Sequence, residues 1–144
     1  PAPESAAKQA LALTAEAIEE AKPDVILTWG PDGGYGHADH RMISAVVTQV
    51  VGKLGPGRPE LLYAAFPEGE GTLLPGFEEW GTTSEDLITD TIRYQAEDLD
   101  AAENAISCYE TQCAPEVRAG LVGLLHESVW QGKIHFRLAF PAPR

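Results

Sequence analysis

Residues 24–66 contain, in order, an apolar strand, a glycine-rich loop, an amphipathic helix and a second strand, and this order constrains the fold most. The strand at 24–29 is a short apolar run with β-branched residues, which is typical of a strand covered on both faces in a parallel sheet. A helix at 39–54 follows and is ended by a Gly-Pro pair, and the next strand spans 61–66. We therefore predict two parallel strands joined by a right-handed crossover.

The remaining segments add helices and short strands to this unit. An amphipathic helix at 4–21 precedes it and is stopped by a Lys-Pro pair. After it come a turn-rich stretch at 67–84 and an ambiguous segment at 87–94 that could be a short strand. Two helices at 97–112 and 115–130 follow, and a last strand spans 134–140. The length of 144 residues suits one α/β domain at 1–144.

The acidic composition restricts the classes of partner. The formal net charge is −12, and the basic side chains form no stripe. Such a surface repels phosphate backbones and anionic lipid headgroups, so neither nucleic acid nor a membrane is expected as a partner. No apolar run approaches the roughly 20 residues that span a bilayer, and no signal peptide is visible, so we expect a cytoplasmic protein. A homo-oligomer remains possible.

The two cysteines, Cys108 and Cys113, do not have the spacing of a zinc or redox motif. Both fall on or next to a predicted helix, and we interpret them as reduced packing residues, because a free thiol behaves as a small hydrophobe.

Chemically versatile side chains are concentrated where the first predicted strand ends. The loop Gly30–Gly36 contains Tyr35 and leads directly to His37, Asp39 and His40. Side chains three residues apart share one face of a helix, so one imidazole could bind a metal while the other faces a substrate. Asp39 could accept a hydrogen bond from an imidazole, and the glycines allow the backbone to approach a ligand closely.

The same pattern has simpler interpretations. An H-x-x-H pair occurs by chance at solvated helix starts, Asp39 could only interact with the helix dipole, and Tyr35 could only pack. A nucleotide-binding domain would also place a glycine-rich loop after a strand. However, this loop lacks both the G-x-G-x-x-G pattern and a Walker lysine.

A long motif adds to these observations. Residues 23–40 read P-D-V-I-L-T-W-G-P-D-G-G-Y-G-H-A-D-H. They closely resemble the second signature of the PIG-L, or LmbE-like, deacetylases, in which a P-D-V-hydrophobic strand precedes G-P-D-G-x-Y-G-H-P-D-H. Ala38 stands where that family usually has proline. The resemblance implies an α/β fold with a Rossmann-like parallel sheet of the LmbE-like type, incomplete at its N-terminus.

Weaker similarity continues towards the C-terminus. Residues 105–112 are similar to the family's A-L-x-x-H-x-[ST]-Q helix, but Tyr109 replaces the usual histidine and Ala102 a usual lysine. Residues 135–139 are similar to the closing E-x-F-x-L segment without its glutamate. These departures indicate a divergent substrate pocket.

The resemblance implies a zinc-dependent N-deacetylase acting on a small N-acetylated amino sugar or its conjugate, typically an N-acetylglucosaminyl compound. His40 would bind Zn²⁺. His37 would stabilise the oxyanion or protonate the leaving amine, and Asp39 would orient His37. Tyr35 would donate its phenol O–H to the carbonyl oxygen.

One part of the family pattern is absent from the sequence. The A-H-P-D-D signature, which supplies the other metal ligands and the general base, does not occur. The resemblance therefore implies the C-terminal portion of such a domain, inactive alone, with the other zinc ligands upstream of Pro1. The alternative is a catalytically inactive PIG-L-like binding module. His126 and His135 have no spacing partner and are interpreted as surface or packing residues.

Overall fold

A computed structural model describes residues 6–69 and 81–140 of the chain. Its helices and strands are, in chain order, α1 (Ala6–Ala21), β1 (Val25–Thr28), α2 (Ala38–Lys53), β2 (Glu60–Ala65), β3 (Asp90–Arg93), α3 (Ala96–Ser107), α4 (Pro115–Leu125) and β4 (Lys133–Leu138). A 3₁₀ turn at Glu85–Leu87 precedes β3, and a π-helical turn at His126–Trp130 joins α4 to β4. The start of the predicted first helix and most of the predicted turn-rich stretch lie outside the described residues.

The four strands form one mixed sheet in the order β1-β2-β4-β3. Strands β1 and β2 are parallel, with Ile26 opposite Leu61, so the predicted parallel strand–helix–strand unit is confirmed. Strand β4 is antiparallel to both β2 and β3, and the sheet is therefore not parallel throughout. The physical reason is where β4 begins. Its His135 pairs with Ala65 at the carboxyl end of β2, so the chain enters β4 there, without the long crossover that a parallel neighbour requires.

Strand β1 lies at one edge of this sheet. Ile26 packs against the core, whereas Val25 is 46% exposed and Leu27 is 60% exposed. The expectation that this strand is covered on both faces is therefore wrong for the part of the chain that the structure describes. An apolar run without alternation does not reveal which of its faces neighbouring elements cover.

The core lies between α2 and the sheet. Val51 is fully buried and Leu61 is 1% exposed, and Val47 and Tyr63 complete the buried cluster. Burying each such aliphatic side chain contributes about 1.5–3 kcal/mol. Ile18 of α1 packs against the same cluster. This packing holds α2 against β1 and β2, and so places the first turn of α2 near the carboxyl ends of these strands.

Helices α3 and α4 pack against each other, but α3 is shorter than predicted. It ends at Ser107 rather than Gln112, and the chain then turns before Ala114, which is extended (ψ 152°) ahead of Pro115 at the start of α4. Cys108 is consequently exposed at the helix end, and its interpretation as a packing residue is wrong. Among the described helices, none is both long and apolar enough to cross a membrane.

Candidate active site

A tight turn organises the loop that leaves β1. The Gly33 N–H donates to the Gly30 carbonyl (2.9 Å), and the Gly34 N–H donates to Asp32 Oδ2 (2.8 Å). Asp32 thus closes its own turn, as aspartates do in turns of this kind. The Gly81 N–H then donates to the Gly34 carbonyl (2.6 Å), which ties the loop to a later segment of the chain. The loop therefore has a fixed shape before any ligand arrives.

The side chain of Trp29 lies directly on this loop. Gly34 has φ +72°, and a Cβ atom there would lie 2.8 Å from a carbon of the Trp29 ring. Only glycine satisfies both the backbone angle and the close approach. On this support the indole stacks on the imidazole of His40, with ring centroids 4.2 Å apart and an interplanar angle of 6°.

His40 is also fixed by a hydrogen bond. Its Nδ1 lies 3.1 Å from the carbonyl oxygen of Gly33. A carbonyl can only accept, so the hydrogen bond places the ring proton on Nδ1. The Nε2 atom of the neutral ring then carries a free lone pair, as in histidines that bind a metal.

His37 has the opposite arrangement. It is the N-cap residue of α2, with φ −63° and ψ 131°, and its Nδ1 accepts the Asp39 N–H at 3.2 Å. In the neutral ring the proton must then be on Nε2. The two imidazoles are therefore held as opposite tautomers, and His37 offers a donor where His40 offers an acceptor.

Tyr35 completes the group. Its ring centroid is 5.1 Å from that of His40 and 5.7 Å from that of His37, and the two imidazole centroids are 4.8 Å apart. All three side chains are partly buried. Three of the four side chains selected from the sequence therefore lie together, and we call them the histidine–tyrosine cluster.

Asp39, the fourth selected residue, takes part through its backbone. Its side chain is exposed, and among the described residues no hydrogen bond joins its carboxylate to either imidazole. Its position in the first turn of α2 still places a negative charge near the positive end of the helix dipole.

Comparison with known proteins identifies the segment that contains this cluster. Residues 2–51 match the profile of the PIG-L family, which is described as GlcNAc-PI de-N-acetylase. The matched residues include Trp29, the whole glycine-rich loop and both histidines. This segment is thus similar to the PIG-L family.

Several curated relatives of this chain are called 1D-myo-inositol 2-acetamido-2-deoxy-alpha-D-glucopyranoside deacetylases. The protein of Mycolicibacterium smegmatis is 31% identical over 102 residues, covering 63% of the chain and 31% of the relative. That of Mycolicibacterium vanbaalenii is 31% identical over 113 residues, covering 75% and 39%. That of Corynebacterium diphtheriae is 38% identical over 55 residues, covering 38% and 18%. The chain thus spans less than half the length of each of these relatives.

The described part of the chain does not by itself complete a metal site. Within residues 6–69 and 81–140, no three His, Cys, Asp or Glu side chains are grouped closely enough to hold a metal. The Nε2 atom of His40 fits one ligand position, whereas catalytic zinc takes three protein ligands. The other two histidines lie outside the cluster. His126 Nδ1 bonds to the hydroxyl of Tyr94 (2.7 Å), and His135 Nδ1 bonds to that of Thr91 (2.8 Å).

Two contributors to the cluster were not assigned a role from the sequence. They are the ring of Trp29 and the carbonyl of Gly33, which together fix the orientation of His40. An aromatic residue between a strand and a glycine-rich loop is a usable signal for the first. The role of the Gly33 carbonyl could not be predicted from residue type, because every residue has a carbonyl group. Only the geometry of the turn directs this carbonyl toward His40 Nδ1.

Proposed function

We propose that this chain contributes part of the active site of a zinc-dependent N-deacetylase that hydrolyses the acetamide of an N-acetylglucosaminyl compound. The observation that carries this proposal is the pair of opposite tautomers. His40 presents an acceptor atom and His37 a donor atom, with ring centroids 4.8 Å apart. Metal-assisted hydrolysis of an amide uses both kinds of group: an acceptor nitrogen that can hold the metal, and a donor for the developing oxyanion.

His40 is the residue that would bind zinc. Its Nδ1–H is held by Gly33 and its ring by Trp29, so Nε2 has one orientation and needs little reorganisation to bind a metal. When bound, zinc supplies a Lewis acid and makes water a stronger nucleophile near neutral pH. The remaining ligands are proposed to come from residues of the protein outside this chain.

His37 and Tyr35 are the residues that would stabilise the transition state. When water oxygen adds to the amide carbon, the carbonyl oxygen becomes negatively charged and needs donors that are already in place. The Nε2–H of His37 and the phenol O–H of Tyr35 are proposed as these donors, and their rings pack edge to face in one cluster. The C–N bond then breaks, the amine takes up a proton, and acetate and a free amino sugar are released.

Asp39 is proposed to act on His37 rather than on the substrate. Its backbone N–H donates to Nδ1 and so fixes which nitrogen of His37 carries the proton. The general base that takes the proton of the attacking water is proposed to lie outside this chain, since the family resemblance assigns that role to an aspartate of the A-H-P-D-D segment.

The substrate class is supported by the names of the relatives, which describe deacetylases of an acetamido-glucopyranoside. The proposal is tested by measuring acetate release from an N-acetylglucosaminyl inositol and from N-acetylglucosamine. The full-length protein that carries this chain would be assayed with zinc, after chelation, and after zinc is restored. We expect activity that is lost on chelation and recovered with zinc. A full-length protein that binds these compounds without releasing acetate would instead be a binding module.

A further inference from the structure

A cleft of about 230 Å³ lies at the carboxyl ends of β1 and β2 and the start of β4. Its aromatic walls are Trp29, Phe66 and Trp130. Small and aliphatic side chains of β2, β4 and the π-helical turn line most of the rest, including Ala64 and Ile134. The cleft is therefore a largely apolar space bounded by two indole rings.

Trp29 connects this cleft to the candidate active site. The same indole that stacks on His40 also lines the cleft. The cleft and the histidine–tyrosine cluster therefore share the Trp29 ring as a common boundary. A ligand that extends from the cluster past Trp29 would reach the cleft.

Trp130, another aromatic residue that lines the cleft, is held in position before a ligand binds. It is the last residue of the π-helical turn, and its ring packs edge to face on Tyr94 (6.2 Å). The Tyr94 hydroxyl in turn bonds to His126 Nδ1 (2.7 Å) and accepts the Gly132 N–H (3.0 Å). π-helical turns are rare and occur frequently at functional sites. The turn and the hydroxyl together fix the distance between the two sides of the cleft.

The polar groups of the cleft are few. His135 is 9% exposed, and its Nδ1 is engaged by Thr91 (2.8 Å), while Lys133 lies at the start of β4. A polyhydroxylated ring such as inositol carries a hydroxyl on every carbon, and each hydroxyl would need a partner when removed from water. A wall of indole, phenyl and alkyl groups offers far fewer hydrogen-bond partners than the hydroxyls of inositol require. The same wall can pack against an apolar or aromatic ring, which requires no such partners.

We infer that this cleft binds an apolar, ring-shaped aglycone of the N-acetylated sugar, held between Trp29 and Trp130. This inference rests on the proposed N-deacetylase function and concerns its substrate. It distinguishes this chain from the curated relatives, whose names specify a myo-inositol aglycone. Trp130 is the specificity-determining residue, and Tyr94 is a positioning residue that acts through it.

The test compares three substrates with the zinc-loaded full-length protein: phenyl N-acetyl-glucosaminide, N-acetylglucosaminyl inositol and free N-acetylglucosamine. We expect the phenyl glycoside to have the highest kcat/KM. Trp130→Ala should lower kcat/KM for the phenyl glycoside by about 10- to 30-fold, as for a buried aromatic anchor. It should change the value for free N-acetylglucosamine by less than about twofold.

Further variants separate recognition from folding. Trp130→Phe should retain most of the preference, and Val117→Ala, an exposed position on α4, should behave as the wild type. Ala64→Leu keeps both indoles but fills the cleft, and should abolish the preference for the phenyl glycoside. Equal losses for all three substrates in Trp130→Ala, or a wild-type preference for the inositol conjugate, would overturn the inference.

A binding measurement keeps this inference distinct from the proposed function. Titration calorimetry with phenyl N-acetyl-glucosaminide reports occupancy of the cleft without requiring turnover. Binding that Trp130→Ala weakens, without acetate release from any substrate, would support the cleft assignment and refute the enzyme. Acetate release with no preference for the phenyl group would support the enzyme and refute the cleft assignment.

Discussion

The indole ring of Trp29 lies parallel to the imidazole ring of His40, with centroids 4.2 Å apart and planes inclined by 6°. A second contact that restrains the His40 ring comes from the backbone, since its Nδ1–H donates to the Gly33 carbonyl. A ring held by a stacked neighbour and by a directed hydrogen bond has lost most of its freedom before a metal binds. If His40 binds zinc as proposed, this restraint would raise its affinity for the metal.

The first prediction concerns this stacked pair. Trp29→Ala should weaken zinc binding by the full-length protein by about 10-fold or more, because the His40 ring regains its rotational freedom. Trp29→Phe keeps an aromatic face and should stay within a few-fold of the wild type. The dissociation constants can be measured by competition with a chromophoric chelator. Equal weakening in both variants would mean that the stack does not orient His40.

A second prediction concerns the glycine under the indole. Gly34→Ala should destabilise the protein by the left-handed backbone penalty of about 1–2 kcal/mol, and by about 1–3 kcal/mol more for the clash with Trp29. Gly36→Ala is the matched control, because Gly36 has a similar φ of +77° and no atom within 4 Å of an added Cβ. Urea unfolding of both variants measures the difference. Identical losses would show that the ring moves aside without cost.

The third prediction concerns the core that positions α2. Leu61 is 1% exposed, and Leu61→Ala should cost about 2–5 kcal/mol through lost burial and the remaining cavity. Leu124 is 49% exposed on α4, and the same substitution there should change stability by no more than about 0.5 kcal/mol. A comparably small effect at Leu61 in chemical denaturation would contradict the assigned core.

Much of the region around the site could be predicted from the sequence. The apolar strand, the loop and the capped helix occur in one local stretch, so residue pattern alone predicts their order and the parallel pairing of β1 with β2. The i, i+3 spacing also predicts that His37 and His40 lie near each other. These features depend on neighbours in sequence, where pattern is informative.

The features that depend on distant neighbours could not be predicted. The direction of β4 depends on where the π-helical turn ends, and no periodicity encodes this. The exposure of Leu27 depends on which elements pack against β1. The stacking of Trp29 on His40 requires the bend of the loop at Gly34, which residue types permit but do not specify.

The fourth prediction concerns the 144-residue chain alone. It should bind zinc only weakly and release no acetate, because His40 is one ligand and the described residues contain no group of three. Zinc titration followed by dialysis and metal analysis measures this, with the His40→Ala chain as the control. Stoichiometric zinc that survives dialysis would mean that the chain, or a second copy of it, supplies the missing ligands.

The last prediction concerns the different roles of the two histidines, measured as zinc content and kcat in the full-length protein. His40→Ala should lose most of its zinc, because a three-ligand site cannot readily lose one ligand. His37→Ala should keep its zinc and lose about 10²- to 10³-fold in kcat, as expected when an oxyanion donor is removed. His126→Ala removes an imidazole outside the cluster and should keep its zinc. Equal zinc loss in His37→Ala and His40→Ala, or full zinc retention in His40→Ala, would contradict the assignment of His40 as the metal ligand and His37 as the donor.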